Sequence, residues 1–248
     1  MKIAVLSPHR DDAAFSLSLA IDAWLAQGHS VQVINCFTRS AFAPFSDAES
    51  LHSNDRASYV TAVRLREDVT WSRKFSKRLV LNDLNLKDAP IRLRCSLDEL
   101  FTLPVNPAEK AVEKIRRAIE QLAPDALVLP LAIGGHLDHR TAQHAALLAP
   151  ITRLAFYEDL PDSANIGIAE TLEATVRALN PDLQPAFATA PGDVAAAIER
   201  KRKYALCYDS QIDDATTLTI ARFCDRYQGR ERLWANQLWR DSELAAGN

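Results

Sequence analysis

Two short stretches of this chain gather the residue types that bind and activate a metal ion. His9-Arg10-Asp11-Asp12 follows the apolar run Ile3 to Leu6, and His136-Leu137-Asp138-His139 follows the apolar run Ala126 to Leu131. A buried strand ends in imidazoles and carboxylates only where water, a ligand or a metal compensates them, because an isolated charge loses its solvation there. Two imidazoles and one carboxylate leave a tetrahedral ion one position for water, the arrangement expected of a catalytic rather than a structural zinc centre. A further carboxylate beside that water can take its proton.

Each stretch also has a local explanation. Asp11 or Asp12 could cap a helix beginning at Ala13, with His9 as a partly exposed neighbour. His136 to His139 could form a solvated turn shaped by Gly134 and Gly135. Capping accounts for the acids. It does not account for three histidines delivered by two strand exits to one face.

The elements that must position these residues follow from periodicity. Strand Ile3–Leu6, helix Ala13–Gln27 and strand Val31–Phe37 read as a β-α-β unit, whose ligand face lies at the carboxyl ends of the strands. Thr38 to Asp55 is expected to be a loop shaping a pocket. A helix is predicted from about Ala57 to Lys77, a strand around Arg78–Leu81, irregular chain through Pro90, a helix over Pro107–Leu122 and a strand over Ala126–Leu131. Beyond it come strand Leu154–Tyr157, helix Ile168–Leu179, strand Gln184–Ala188, helix Pro191–Cys207 and a charged tail, Arg222 to Arg240, with Trp234 and Trp239. The pattern predicts an α/β fold of three layers in a single domain, 1–248, with the segment from about 190 to 248 packed on the core.

Composition narrows the function. The 248 residues carry 29 Lys and Arg against 32 Asp and Glu, a formal charge of −3, which gives no electrostatic case for a nucleic-acid partner. The first strand exit lacks Gly-x-Gly-x-x-Gly and puts acids where a dinucleotide pyrophosphate would sit. Cys36, Cys95, Cys207 and Cys224 have no ligand-like spacing, and no secretory or membrane-length apolar run is evident. Reduced thiols, a cytoplasmic location and no membrane insertion are therefore expected.

At these motifs the chain resembles the PIG-L/LmbE-like family of metal-dependent N-deacetylases, which act mainly on N-acetylglucosamine-containing substrates. His9-Arg10-Asp11-Asp12-Ala13 is similar to the family's His-Pro-Asp-Asp-Glu, and His136-Leu137-Asp138-His139 to its His-x-Asp-His. The likeness extends to Arg64-Leu65-Arg66-Glu67-Asp68, Asp88-Ala89-Pro90-Ile91-Arg92, Tyr157-Glu158-Asp159-Leu160-Pro161, Tyr208-Asp209-Ser210-Gln211 and Glu231-Arg232-Leu233-Trp234. The resemblance implies a Rossmann-like α/β/α core with a mostly parallel sheet. It also implies Zn2+, or another divalent transition metal, on His9, Asp12 and His139. Asp11 would be the general base, protonated His136 would assist the charged amide oxygen, and Asp138 would orient His136.

Arg64 is a candidate substrate contact by the same resemblance; its alternative is a solvated or Glu67-paired helix arginine. Asp88 and Arg92, with Asp83, could line a sugar pocket, because carboxylates and guanidinium forks read hydroxyls. His144 falls off the ligand-bearing face, and His29 and His52 look like a helix-end and a loop residue. Arg10 in place of proline is expected to alter rim charge, and Ala13 in place of glutamate to remove a polar contact. The implied partner is a small N-acetylated sugar or glycoconjugate, with a homo-oligomer left open. A metal-dependent amidase for a non-sugar amide, or a non-catalytic sugar-binding protein, are the alternatives.

Overall fold

β1 (Lys2–Ser7) sends Ile3 and Val5 to one core and Ala4 and Leu6 to another, so alternate residues serve opposite faces of a sheet buried on both sides. β4 (Ala126–Pro130) repeats this, with Ala126 and Val128 on the first face and Leu127 and Leu129 on the second. The computed structural model describes residues 1–75, 77–165 and 168–246.

In chain order, α1 (Asp12–Ala26), β2 (Ser30–Asn35), α2 (Ser53–Ser72) and β3 (Val80–Asp83) follow β1. Two short helices, α3 (Ala89–Leu93) and α4 (Glu99–Thr102), precede α5 (Lys110–Leu122). After β4 come α6 (Leu137–Leu147), β5 (Leu154–Tyr157), α7 (Ile168–Leu179), β6 (Gln184–Ala186), α8 (Val194–Ala205), α9 (Asp214–Arg222), β7 (Leu233–Ala235) and α10 (Gln237–Arg240). The strands form one seven-stranded sheet in the order β3-β2-β1-β4-β5-β7-β6. Pairing is parallel from β3 to β5, and β7 is antiparallel to both neighbours.

Leu17, Ile21 and Trp24 of α1, Trp71 of α2 and Tyr204 of α8 cover one face; Ile115 of α5, Ala142 of α6 and Val176 of α7 cover the other. This is the expected three-layer α/β/α architecture with a mostly parallel sheet. The order reverses between β1 and β4, and at such a switch point the chains leaving two strands diverge and open a crevice at their carboxyl ends. Both histidine-bearing motifs leave the sheet there.

Three expectations are corrected. The third strand lies two residues later than Arg78–Leu81: Leu81 pairs with Val33 and Asp83 with Asn35, so the strand runs past its apolar residues into polar ones. The segment expected to stay a loop to Asp55 enters α2 at Ser53, after a 3-10 turn over Asp47–Ser50. Part of the charged tail is inside the sheet, as β7, where Phe156 pairs with Trp234 and Pro185 pairs with Trp234 from the other side. Three residues between a charged run and the polar Asn236-Gln237 carry too little periodicity to announce a strand. No helix among the described residues is long and apolar enough to cross a membrane.

Candidate metal centre and active site

The acids after β1 are not spent on helix capping. Asp11 occupies the N-cap of α1 but makes no capping bond with its side chain. Ser7 Oγ instead accepts from the Ala13 amide at 3.1 Å, and Asp12 Oδ2 accepts from the His9 amide at 2.6 Å. Asp11 and Asp12 thus keep carboxylate oxygens for the cleft that they line. After β4 the chain turns through Gly134 and Gly135, at φ +86° and +77°, a region that side chains disfavour. His136 then caps α6, its Nδ1 accepting from the Asp138 amide at 3.1 Å.

The three imidazoles form a triangle with ring centroids 5.0–5.4 Å apart. Ligand atoms of His9, Asp12 and His139 all lie within 4.8 Å of one another. Asp12 Oδ2 stands 3.6 Å from His9 Nδ1 and 3.4 Å from His139 Nε2. A tetrahedral ion with bonds of about 2.0–2.1 Å sets its ligand atoms about 3.4 Å apart, so this donor set fits a metal ion. The opposite nitrogens are held by buried carboxylates. His9 Nε2 lies 3.2 Å from Asp138 Oδ2, and His139 Nδ1 lies 2.8 Å from Asp159 Oδ1. An ionised carboxylate only accepts, so each of those nitrogens carries the proton and its partner nitrogen faces the site. A second cluster, His9, His136 and Asp138, is less suited to an ion, because Asp138 already accepts from Ala89 N and Arg92.

Charge within the cluster follows from burial and neighbours. Burial pushes the Asp12 carboxyl up, against the pull of His139 and His9. Burial disfavours the charged form of His139, yet Asp12, Asp159 and Asp162 together raise it to about 10. Burial also works against the Asp138 carboxylate, but His9 and Arg92 hold it at about 2. Burial, reinforced by His9 and His139, lowers His136 to about 3. Its Nδ1 accepts from the Asp138 amide, so Nε2 is the ring nitrogen that presents a proton to the cleft.

The expected site residues separate into those at the cleft and those behind it. His9, Asp11, Asp12, Arg64, Asp88, His136 and His139 line one cleft of about 420 Å³. Arg64 is buried and pairs with Asp11. Asp88 caps α3 through the Ile91 amide at 3.3 Å. Asp138 sits behind His9 and does not hold the His136 ring by its carboxylate; the backbone of Asp138 does that. Arg92 is likewise behind the site, its guanidinium engaged by Glu109, the Lys87 carbonyl and Asp138 Oδ1, and stacked 4.5 Å over Phe37. Asp83 turns to Arg10 and Asn35. Arg10 is 2% exposed, so it adds no charge to the rim.

Asp159 had no assigned role in the sequence, although it follows a strand exit as the other site residues do. Gln211, from the Tyr208-Asp209-Ser210-Gln211 block, and Phe42, from the loop expected to shape a pocket, also line the cleft, as do Ile212, Leu97 and Phe101, whose positions no motif marked.

The PIG-L family profile, described as GlcNAc-PI de-N-acetylase, matches residues 4–149. The chain belongs to the PIG-L family. This PIG-L chain is 29% identical over 241 residues to the 2'-N-acetylparomamine deacetylase of Streptomyces fradiae, covering 93% of its own length and 80% of that protein. A solved deacetylase from the teicoplanin biosynthesis pathway superposes with a TM-score of 0.67 at 20% identity, over 95% of this chain and 97% of that one. The N,N'-diacetylchitobiose deacetylase from Pyrococcus horikoshii gives 0.60 at 16% identity, over 94% and 82%. Those two structures share the PIG-L member's fold. Family and relatives together identify it as an N-deacetylase.

Proposed function

We propose that this N-deacetylase hydrolyses the N-acetyl group of an amino sugar within a glycoconjugate, and that it holds Zn2+ on His9, Asp12 and His139. The observation that carries this is the convergence, in one cleft, of a donor set at tetrahedral spacing with Asp11 and His136 beside it. The relatives' named substrates, N-acetylparomamine and diacetylchitobiose, support an amino sugar as the substrate class.

When bound, the ion polarises the amide oxygen and lowers the pKa of a water at its open position. Asp11 accepts the water proton. Its Oδ1 is held by Arg64, which leaves Oδ2 as the receiving atom. His136 Nε2–H donates to the amide oxygen as that oxygen gains negative charge. Asp11, having taken the water proton, returns it to the departing nitrogen. Acetate and a free amine are the products. Asp138 and Asp159 keep the His9 and His139 rings in orientation throughout.

The experiment incubates zinc-loaded protein with N-acetylated sugars, glycoconjugates and simple acyl amides, measuring acetate and primary amine together. Equimolar release from sugars is expected; release confined to non-sugar amides overturns the sugar assignment.

A further inference from the structure

A second cavity, of about 510 Å³, lies at the β6 edge of the sheet, between the chain around β6 and the segment from α10 onward. It shares no lining residue with the catalytic cleft. Its charged lining residues among those described are Arg230, Arg240 and Asp241, and Pro185, Phe187 and Pro191 supply an apolar wall.

Both guanidiniums are held in place without being neutralised. Arg230 donates from Nε to the Tyr227 carbonyl at 2.8 Å, and its guanidinium lies 3.8 Å over the Phe187 ring. Arg240 donates from Nη2 to Gln237 Oε1, and Gln237 in turn donates to Asp241 Oδ1 at 2.7 Å. Nη1 and Nη2 of Arg230 and Nε and Nη1 of Arg240 find no acceptor among the described residues, and Arg240 Nε is buried. Neither guanidinium has a carboxylate partner there. Burial accordingly lowers the Arg230 guanidinium with no acid opposing it.

Arginines drawn into the fold elsewhere are treated differently. Arg10, Arg64, Arg92 and Arg232 each pair with a carboxylate. Arg140 has no acid but spends its fork on the carbonyls of Gly135, Leu100 and Leu103. Water can serve a single exposed guanidinium. Two unpaired ones on one concavity hold its potential positive and draw an anion. A guanidinium fork matches the oxygens of a carboxylate or a phosphate. One fork suffices for a carboxylate, whereas two forks from separate segments suit the three free oxygens of a phosphate monoester. Asp241 is the opposing charge, with one oxygen already drawn to Gln237.

We propose that Arg230 and Arg240 form a binding site for a phosphate monoester, separate from the catalytic cleft, with the ester group against the wall of Pro185, Phe187 and Pro191.

The test is calorimetric titration of the zinc-loaded full chain at low ionic strength with inorganic phosphate, phenyl phosphate and acetate. One phenyl phosphate per chain is expected, bound more tightly than inorganic phosphate, with acetate weaker by about tenfold or more. Arg230→Gln and Arg240→Gln each remove charge-assisted donors and are expected to weaken phenyl phosphate by about tenfold or more. Asp241→Asn removes the opposing charge and is expected to tighten binding by about threefold. That gain requires an intact cavity, so damage to the fold cannot produce it. His139→Ala, which removes a ligand of the proposed zinc centre, is expected to leave phosphate binding unchanged.

Binding lost in His139→Ala and kept in both arginine variants places the anion on the metal and overturns the proposal. No saturable binding to the full chain also overturns it. Acetate bound as tightly as phenyl phosphate overturns the assignment to phosphate, and inorganic phosphate bound more tightly than phenyl phosphate overturns the monoester.

Discussion

Arg10 and Asp68 meet inside the fold in a 2.6 Å ion pair that joins the catalytic turn to α2. The same guanidinium reaches Asp83 at 2.7 and 3.1 Å, and the Asn35 amide donates to both acids. The Tyr208 hydroxyl lies 2.5 Å from Asp68 Oδ1 and 3.2 Å from the Arg10 carbonyl. One turn earlier on α2, Arg64 pairs with Asp11. Two consecutive residues of the turn are thus held by one helix through pairs of opposite polarity. Arg10 stands where the family motif has proline, and a multiply bonded side chain replaces a stiff ring. Removing one partner of a buried pair leaves the other charge without compensation. Arg10→Met is expected to lower stability by about 3–5 kcal/mol in urea unfolding, and adding Asp68→Asn is expected to restore part of it.

Asp68 also makes stability depend on pH. Burial pushes its carboxyl up to about 6, against the pull of Arg10 and Tyr208. That is above the ordinary value of about 3.9, so the folded state binds this proton more tightly than the unfolded chain. The contribution is full below about pH 4 and is lost as pH rises through about 6. Glu67, raised to about 7 chiefly by burial, adds a loss of the same sign that extends higher. Urea unfolding at intervals from pH 4 to 8 is expected to show Asp68→Asn losing the part of the decline that ends near pH 6 and keeping the part that ends near pH 7.

Asp159 should matter to metal affinity although it is not a ligand in the proposed centre. It fixes the tautomer of His139 and accepts from the Ile133 amide at 3.0 Å. Outer partners of this kind are typically worth about 10–100-fold in affinity. Asp159→Ala is expected to weaken zinc binding by that factor in competition with a chromophoric chelator, Asp159→Asn by less, and His139→Ala to abolish stoichiometric binding. Unchanged affinity in Asp159→Ala would remove its positioning role.

Proton acceptance and charge stabilisation are separable. Asp11→Asn keeps the shape of the site but accepts no proton, so kcat is expected to fall by about 10²–10⁴ with zinc content unchanged. His136→Ala removes one donor to the amide oxygen and should lower kcat by about 10²–10³. Metal analysis beside steady-state kinetics distinguishes both from ligand loss. Near-normal kcat in Asp11→Asn would sink the general-base assignment.

What the sequence disclosed about the site was what lies in contiguous stretches. His9 to Asp12 and His136 to His139 each put several chemical groups after one strand, and the continuous apolar runs of β1 and β4 located those strands. Arg10 was legible as a departure but not in direction, because Asp68 and Asp83, which turn it inward, are 58 and 73 residues away. Asp138 was assigned to the histidine two residues before it. Its carboxylate instead meets His9, 129 positions away, across the gap between β1 and β4. Asp159 was one acid among many until the fold set it behind His139. β7 escaped notice for a different reason: a three-residue strand is specified by the edges of β5 and β6 rather than by its own pattern.

The paired glycines before His136 offer a test of how closely the β4 exit is fitted to the centre. Both have positive φ, but their surroundings differ. A Cβ on Gly134 would lie 2.5 Å from Asp162 Oδ2 and 2.8 Å from its Cγ, whereas one on Gly135 would meet nothing within 4 Å. Gly135→Ala therefore costs only the backbone preference, about 1 kcal/mol. Gly134→Ala carries that cost and must also displace Asp162, whose charge helps to hold His139 at its raised value. Urea unfolding is expected to rank Gly134→Ala as the less stable of the two, and chelator competition to show weakened zinc binding in Gly134→Ala alone. If the two variants bind zinc equally, the approach of Asp162 to Gly134 has no bearing on the metal centre, and the glycine serves only the turn.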